Sequence, residues 1–319
     1  MRIKKAASFI LNKAFPAQME GRRHRIELKK TRDTRRRYLT RLQARATYSQ
    51  GQWTELVKEE FYQTFGAELD LVNPQTFSEK VQWRKLYDHN MIYSMLTDKY
   101  AVREWIKNKI GEQYLIPLLG VWERAEDIDF DTLPEQFVLK TNNASSTIII
   151  VRDKKQLKVS EVRETLDYWL QLPFWAVSGE QHYKAIPPKI LAESLISVTD
   201  SEDLPDYKFF CFHGEPCYCQ IDVDRYHGHK RVIMSMDWQQ EEWSMDEFLR
   251  YNGTVEKPLN FEKMIELARK LSEGFSFVRV DLYNVHGTIY FGEMTFTPGS
   301  GLEHLSPGEY DLILGQKWQ

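Results

Sequence analysis

The chain has 319 residues, 42% hydrophobic and 13% aromatic, which is enough for a sizeable core but too long for one compact core, so two lobes plus an extension are expected. No apolar run approaches the ~20 residues needed to cross a bilayer, and the basic start Met1-Arg-Ile-Lys-Lys5 leads into an apolar stretch broken by Asn12 and Lys13, so no cleavable signal is read. Three cysteines without framework spacing exclude a disulfide-built fold and point to a reducing cytosol.

The net charge of −3 hides an asymmetry: residues 1–50 carry 15 Lys and Arg against 3 Asp and Glu, and the remainder is correspondingly acidic. The basic arm includes Arg22-Arg23-His24-Arg25 and Arg35-Arg36-Arg37. It suits an anionic membrane face, an acidic glycan or an acidic protein; equally, it suits a helix pairing with acidic patches of its own chain. Few aromatics interleave with the charges, so no nucleic acid partner is expected.

Within residues 52–66, Trp53, Leu56, Val57, Phe61 and Phe65 follow a 3.6-residue period and predict a helix stopped by Gly66. Asn73-Pro74 reads as a turn, and Thr76-Phe77-Ser78 opens a helix running to about Asp88. A third helix is expected from Ile92 to Lys109, ending at Gly111. Short strands and loops over 115–122 precede an acidic loop to Pro134, where a lobe boundary is placed. The expected division is a basic extension over 1–50, a helical and α/β lobe over 51–135, and the main region over 136–319.

In that region strands are expected over 137–140, 147–151 and 189–196, with a helix over 160–171. Residues 206–213 and 217–224 form a hairpin through Gly214-Glu215-Pro216, and 231–236 adds a strand. Phe261, Met264, Ile265, Leu267, Ala268 and Leu271 line one side of a helix over 261–273, stopped by Gly274. A last hairpin joins Phe277–Leu282 to Tyr290–Thr295. A three-residue loop, Val285-His286-Gly287, sets its register so that Asn284 faces Thr288, Asp281 faces Phe291 and Arg279 faces Glu293. Arg279, Asp281 and Glu293 then share one face; a two-residue loop would send Glu293 to the other. The mixture of antiparallel hairpins and helices reads as α+β.

Two carboxylates and an arginine on one face suit a magnesium-bound phosphate. Lys140, followed by the polar loop Thr141–Ser146, places an ammonium and backbone N–H groups where a phosphate could sit, although an ordinary turn would look the same. Glu193 ends a buried strand and could accept from an adenine amino group, or could merely mark where that strand becomes exposed. Lys208 alternates with Phe210 and Phe212 and so needs a carboxylate partner or a ligand. Cys211, His213, Cys217 and Cys219 could nearly converge, but their spacing matches no common zinc module. The segment Asp222–Arg231, with Arg225, His227 and Arg231, could clamp an anionic substrate or form a solvated hairpin tip.

Taken in order, Phe137–Lys140 with its loop, Leu191–Ile196, Arg279-Val280-Asp281 and Glu293-Met294-Thr295 resemble the ATP-grasp superfamily. Asn73-Pro74 with Thr76–Lys80, Thr97–Tyr100, Asp206-Tyr207-Lys208 and Gly292–Gly301 are similar to its TupA-like branch, which is associated with cell-surface polysaccharide biosynthesis. The resemblance implies an ATP-grasp fold, two α+β subdomains clasping ATP behind a helical N-terminal region. It implies ATP and Mg²⁺ as cofactors, with Lys140, Asn142, Ser145, Ser146, Glu193, Leu195, Ile196 and Lys208 on the nucleotide. Asp281, Glu293 and Thr295 would hold the metal, Thr295 standing where many relatives have Asn; Asn143-Ala144 likewise stands where the covering loop often has glycine. Arg279 and Lys208 would be catalytic. Arg225, His227, Arg231, Thr297, Gly299 and Ser300 would meet substrate.

The implied reaction is amide formation through an acyl phosphate. Its partners would be a uronic-acid sugar or glycan and an amino acid or amino sugar, in the cytoplasm or at the inner membrane face. A phosphotransferase on the same fold, or a binding protein acting through the basic arm, are the alternatives.

Overall fold

The structure is a computed structural model that describes residues 32–196, 204–223, 230–245, 249–251 and 253–319. Helices dominate the first third. α1 (Arg32–Arg45) is followed by α2 (Gln50–Phe65), whose N-terminus is closed by a reciprocal Ser49–Gln52 capping box and whose C-terminus is closed by Gly66 at φ 68°. α3 (Phe77–Tyr87) opens with the same device, built from Thr76 and Glu79.

The helix expected from Ile92 to Lys109 is two helices, α4 (Met91–Thr97) and α5 (Val102–Lys109). Asp98 breaks it. Its backbone is extended, and its carboxylate accepts from the N–H groups of Tyr100 and Ala101 and from Asn142 Nδ2 at 2.9 Å. A side chain that bonds forward to its own backbone competes with the helix ladder and wins here.

A four-stranded antiparallel sheet has the order β1 (Leu118–Trp122), β4 (Ile190–Ser194), β2 (Phe137–Thr141), β3 (Ile148–Val151). Because β1 pairs with β4, the boundary expected near 135 cuts through this sheet's chain segment. α6 (Val159–Leu170) packs on the sheet through Val162, Leu166 and Trp169, and Tyr38 and Leu42 of α1 enter the same core. The expected extension over 1–50 is therefore docked on the body from α1 onward. Arg32 pairs with Glu164 at 2.9 Å, Arg45 lies 3.5 Å from Glu60 and donates to the Val177 carbonyl at 2.8 Å.

The second sheet has the order β11 (Thr288–Thr295), β10 (Phe277–Val285), β5 (Asp206–Phe212), β6 (Glu215–Val223), β7 (Lys230–Ser235), β9 (Leu249–Arg250). All pairs are antiparallel except β7 with β9. β8 (Ser244–Met245) pairs with β12 (Leu305–Ser306) beside it. α7 (Phe261–Ser272) covers one face, burying Phe261, Met264, Leu267 and Leu271 against Phe209, Cys211, Cys219, Val278 and Val280. α3 and α8 (Glu309–Lys317) cover one end of the other face, where Phe77, Val81, Leu314 and Trp318 meet Phe210, Phe212 and Phe277. Arg84 of α3 is buried there. It donates to the carbonyls of Phe277 at 2.8 Å and Phe296 at 3.2 Å and lies 4.2 Å over the Trp318 ring.

The last hairpin departs from the expected register. Its loop has two residues, His286 and Gly287, both with positive φ (50° and 90°), as a type I′ turn requires. Val285 faces Thr288 and Leu282 faces Phe291, but a bulge at Gly292 then inserts one residue, so Asp281 faces Glu293 and Arg279 faces Thr295. The shorter loop and the bulge offset each other, and Glu293 stays on the face of Arg279 and Asp281. A Cβ at Gly292 would meet the Asp281 carbonyl oxygen at 2.9 Å. The β5–β6 connection is likewise a two-residue turn, His213-Gly214, which leaves Pro216 inside β6.

Gly292→Val should therefore destabilise the chain by about 1–3 kcal/mol, the usual cost of overpacking, measured by urea unfolding. A midpoint equal to that of the parent would show that the bulge has room for a side chain.

Candidate active site

The six-stranded sheet carries a charged face on the side away from α7. Residues directly opposite in a ladder share a face, so Lys208 joins Asp281 and Gln220, and Asp206 joins Asp222 and Arg231. With Glu293 and Arg279 they make a charged surface across five strands. Asp206, Lys208, Asp222, Arg279 and Asp281 are all buried, and Asp281 is 2% exposed.

Arg279 organises this surface. Its Nε and Nη2 each donate at 2.7 Å to the two oxygens of Asp281, and Nη2 also reaches Glu293 at 3.4 Å and Thr295 Oγ1 at 3.1 Å. Burial works against the guanidinium's charge, but Asp281, Glu293 and Asp206 outweigh it and hold the proton more tightly than usual. Burial raises the Asp281 carboxyl to about 7 despite the pull of Arg279, with Asp206 adding repulsion. Burial would also raise Glu293, but Lys99 and Arg279 hold it below the usual carboxylate range. Asp281, raised by burial and by Asp206 while already paired with Arg279, is a carboxylate that a further cation would stabilise in its charged form.

Facing carboxylates of this kind fit magnesium, which is usually held by one or two carboxylates and completed by substrate phosphates and water. Among the described residues no group of three or more His, Cys, Asp and Glu gathers as a metal cluster. The cysteine–histidine alternative gains no support: Cys211 and Cys219 sit in the core under α7.

On the four-stranded sheet, Lys140, Val138, Ile148, Ile150, Leu191 and Glu193 share a face. Lys140 Nζ lies 2.5 Å from Glu193, which Arg103 approaches at 3.3 Å. Ile148 and Ile150 are 51% and 39% exposed. They form an apolar shelf beside the lysine, the surface a flat aromatic ring would cover.

Lys99 joins the two faces. Set at the α4–α5 corner that Asp98 creates, it donates to the Ala144 carbonyl at 2.9 Å and lies 3.8 Å from Glu293. Burial lowers its pKa, and Lys140 does so further.

The sequence-derived site residues fare unevenly. Lys140 and Glu193 meet on the four-stranded sheet, and Lys208, Arg279, Asp281, Glu293 and Thr295 share a face of the second sheet. Ser145 and Ser146 are exposed at the loop tip. Asn142 is no nucleotide contact. It is fully buried, gives Nδ2 to Asp98 and the Pro187 carbonyl, and accepts from the Lys189 N–H at 2.6 Å, so its amide anchors the loop instead. Thr297 is buried and donates to Glu180, so its hydroxyl faces the protein rather than a substrate. Lys208 is held by Asp206 and by Asp222 at 2.7 Å. Arg231 binds Asp222 at 2.9 Å and Glu303 at 2.8 Å. Leu195 and Ile196 follow β4 and are partly exposed, and Gly299 and Ser300 lie in a turn over Pro298–Gly301. Arg225 and His227 lie outside the described residues.

Sequence reasoning gave no role to Lys99, Arg103, Asp206, Asp222, Glu303, Ile148 or Ile150. For Lys99 a signal existed, since a charged Asp98-Lys99 pair interrupts an otherwise helical run. Asp206, Asp222, Ile148 and Ile150 depend on strand register, which the sequence specifies poorly, and Arg103 on α5 and Glu303 after the Pro298–Gly301 turn depend on tertiary partners.

Residues 79–319 match the sequence model of the TupA-like ATPgrasp family, and the chain belongs to that family. No curated protein matches the sequence. Among solved structures, D-alanine–D-alanine ligase from Helicobacter pylori is 16% identical, covering 70% of this chain and 61% of that one, with a TM-score of 0.38. The ATP-grasp ligase PsnB, complexed with a phosphomimetic variant of its minimal precursor, Mg and ADP, is 11% identical over 76% of this chain and 66% of that one, with a TM-score of 0.37. D-cycloserine synthetase DcsG is 11% identical over 71% and 70%, with a TM-score of 0.38. The chain thus spans about three fifths of the length of the H. pylori ligase it matches.

Beside the site, packed surroundings and the charges of Arg84 and Lys85 push His182 down to about 3. The folded chain keeps this imidazole neutral while the unfolded chain protonates near 6.5, so its contribution is present above pH 6.5 and lost as pH falls. Stability should drop between pH 6.5 and 5 with a slope of at most about 1.4 kcal/mol per pH unit from this group. His182→Gln should flatten that limb in denaturant titrations; an unchanged slope would assign the loss to other groups.

Proposed function

We propose that the chain is an ATP-dependent carboxylate–amine ligase. The observation that carries this reading is the pairing of the Arg279, Asp281, Lys208 and Glu293 face with the Lys140, Ile148 and Ile150 face, spanned by Lys99. Adenine would lie on the isoleucine shelf, with the Leu195–Ile196 backbone at its edge and Glu193 at its amino group once Lys140 turns to phosphate. Lys99, Lys140 and the loop tip at Ser145 and Ser146 would bind phosphate oxygens. Asp281 and Glu293 would hold magnesium, with the Thr295 hydroxyl beside Glu293. Bound magnesium supplies charge neutralisation on the β- and γ-phosphates.

Every cation named here is balanced by a carboxylate in the ligand-free chain. Nucleotide phosphates would take over Lys140 from Glu193 and Arg279 from Asp281, which would free the Asp281 carboxylate to hold magnesium. Such an exchange keeps buried charges paired throughout. A substrate carboxylate then attacks the γ-phosphorus, ADP leaves, and an acyl phosphate forms. The amine attacks the acyl carbon and phosphate leaves, giving an amide. Arg279 and Lys208, both fixed by two or more hydrogen bonds, would stabilise charge on the transferring group and the acyl oxygen.

For the carboxylate we propose a uronic acid of a cell-surface polysaccharide or its precursor, and for the amine an amino acid or amino sugar. Exposed Arg36 and Arg37 on α1, together with the basic residues before it, would hold the enzyme at an anionic membrane face or glycan on the cytoplasmic side; Arg32 and Arg45 are engaged with the body.

Saturation with Mg-ATP at a hundred times its Kd should add about 2.7 kcal/mol of stability, seen as a rise in unfolding midpoint that disappears with EDTA and in Asp281→Asn. A rise that survives in Asp281→Asn would remove the metal assignment. With hydroxylamine present, turnover should yield a hydroxamate from the acyl phosphate; a stable phosphoester instead would identify a phosphotransferase.

A further inference from the structure

Lys85 is the most deeply buried lysine near the site, at 1% exposure, and among the described residues no carboxylate lies within ion-pair distance of it. Its ammonium donates to Gln82 Oε1 at 2.8 Å and to the Ser300 carbonyl at 3.2 Å. Gln82 Nε2 donates to the carbonyls of Ser300 at 2.9 Å and Gly301 at 2.8 Å. α3 thus draws two successive carbonyls of the turn towards itself. In a trans peptide the N–H points opposite to the C=O, so the Gly301 N–H is turned away from α3.

The turn is shaped for this. Gly299, Ser300 and Gly301 all have positive φ, between 56° and 67°. A Cβ on Gly301 would come within 2.7 Å of Gln82 Nε2 and Val81, so only glycine lets the turn lie flat on the helix. On the other side sits Glu303. A Cβ on Gly299 would meet Glu303 Oε2 at 2.3 Å, while Oε1 binds Arg231 Nη1 at 2.8 Å. A carboxylate already occupies the angle between this turn and a buried guanidinium.

The family resemblance implies a substrate at Arg231, Gly299 and Ser300; we propose that Glu303 fills this angle in the ligand-free chain in place of a substrate carboxylate, and that Lys85 and Gln82 are the positioning residues of that subsite. This rests on the ligase reading above. Lys85 does not touch the ligand; it orients the turn and places a positive charge behind it. Its direct partners are neutral oxygens, and a substrate anion across the turn would add to the stabilisation that Glu60 and Glu180 give this buried charge. Glu60 on α2, paired with Arg45, and Glu180 act on Lys85 from a distance, as do the neighbouring cation Arg84 and His182. Burial nevertheless pushes its ammonium down to about 8.

The test titrates glucuronate into the full chain saturated with Mg-ADP, by calorimetry, with glucuronamide as the uncharged control. Glucuronate should bind and glucuronamide should not. Lys85→Met and Gln82→Ala should each weaken glucuronate binding about tenfold, the scale of one charge-assisted contact. Glu303→Gln, which removes the internal occupant, should strengthen it. Parent binding should weaken above about pH 8, and Lys85→Met should lack that limb. Mg-ADP affinity should stay within about twofold in all three variants, since none touches the nucleotide face. Equal glucuronate affinity in parent, Lys85→Met and Gln82→Ala overturns the positioning role, and unchanged affinity in Glu303→Gln overturns the occupant. If Lys85→Met does not fold, Gln82→Ala decides the positioning role alone. Glucuronamide binding as tightly as glucuronate, or no glucuronate binding to the Mg-ADP complex, overturns the subsite. Failure to bind Mg-ADP at all would instead overturn the ligase reading beneath it.

Discussion

The extra residue at Gly292 governs the chemistry of this chain through the register of β10 and β11. A two-residue type I′ turn alone would place Glu293 on the face packed under α7. The bulge moves it back beside Asp281, and Arg279 then has carboxylates on its own strand and on the next. A strand shift of one residue reverses every side chain beyond it, so one glycine separates a charged site from a buried mismatch.

From that pair of strands the charges spread by alternation. Asp281 leads to Lys208, Lys208 to Asp222, Asp222 to Arg231 and Arg231 to Glu303. Pairing across four strands keeps each buried ion compensated, which is the condition for placing so many in one sheet. The same arrangement links Lys208 through Asp222 and Arg231 to Glu303, just beyond the turn over Pro298–Gly301. Such a chain lets a ligand replace one partner at a time without leaving a bare charge.

The elements outside the two sheets serve the same end. α3 carries Arg84 against β10 and holds the Pro298–Gly301 turn through Gln82 and Lys85. The α4–α5 corner delivers Lys99 between the covering loop and Glu293 because Asp98 spends its carboxylate on capping and on Asn142. A buried polar group that is fully bonded is rigid, and Asn142 illustrates this by fixing the loop while Ser145 and Ser146 remain at its exposed tip.

Much of this was legible in the sequence. Helix ends at Gly66 and Thr76, the apolar stripe of α7 and the strands around Lys140 and Glu193 follow from local signals of capping, periodicity and alternation, whereas Arg279, Asp281 and Glu293 share the expected face only because the shorter loop and the bulge at Gly292 cancel. Those signals act over a few residues, so sequence alone suffices for them. The loop of the last hairpin, the break at Asp98, the inward turn of Asn142 and Thr297, and the placing of Lys99, Lys85 and Glu303 did not follow. The hairpin loop and the Asp98 break turn on competing local bonds, while the others are decided by partners far away in the chain: Asp98 and Pro187 against Asn142, Glu180 against Thr297, Ser300 against Lys85, Arg231 against Glu303. Backbone propensity can be read along the chain, but which buried polar group finds which partner is settled only when the sheets close and water is excluded.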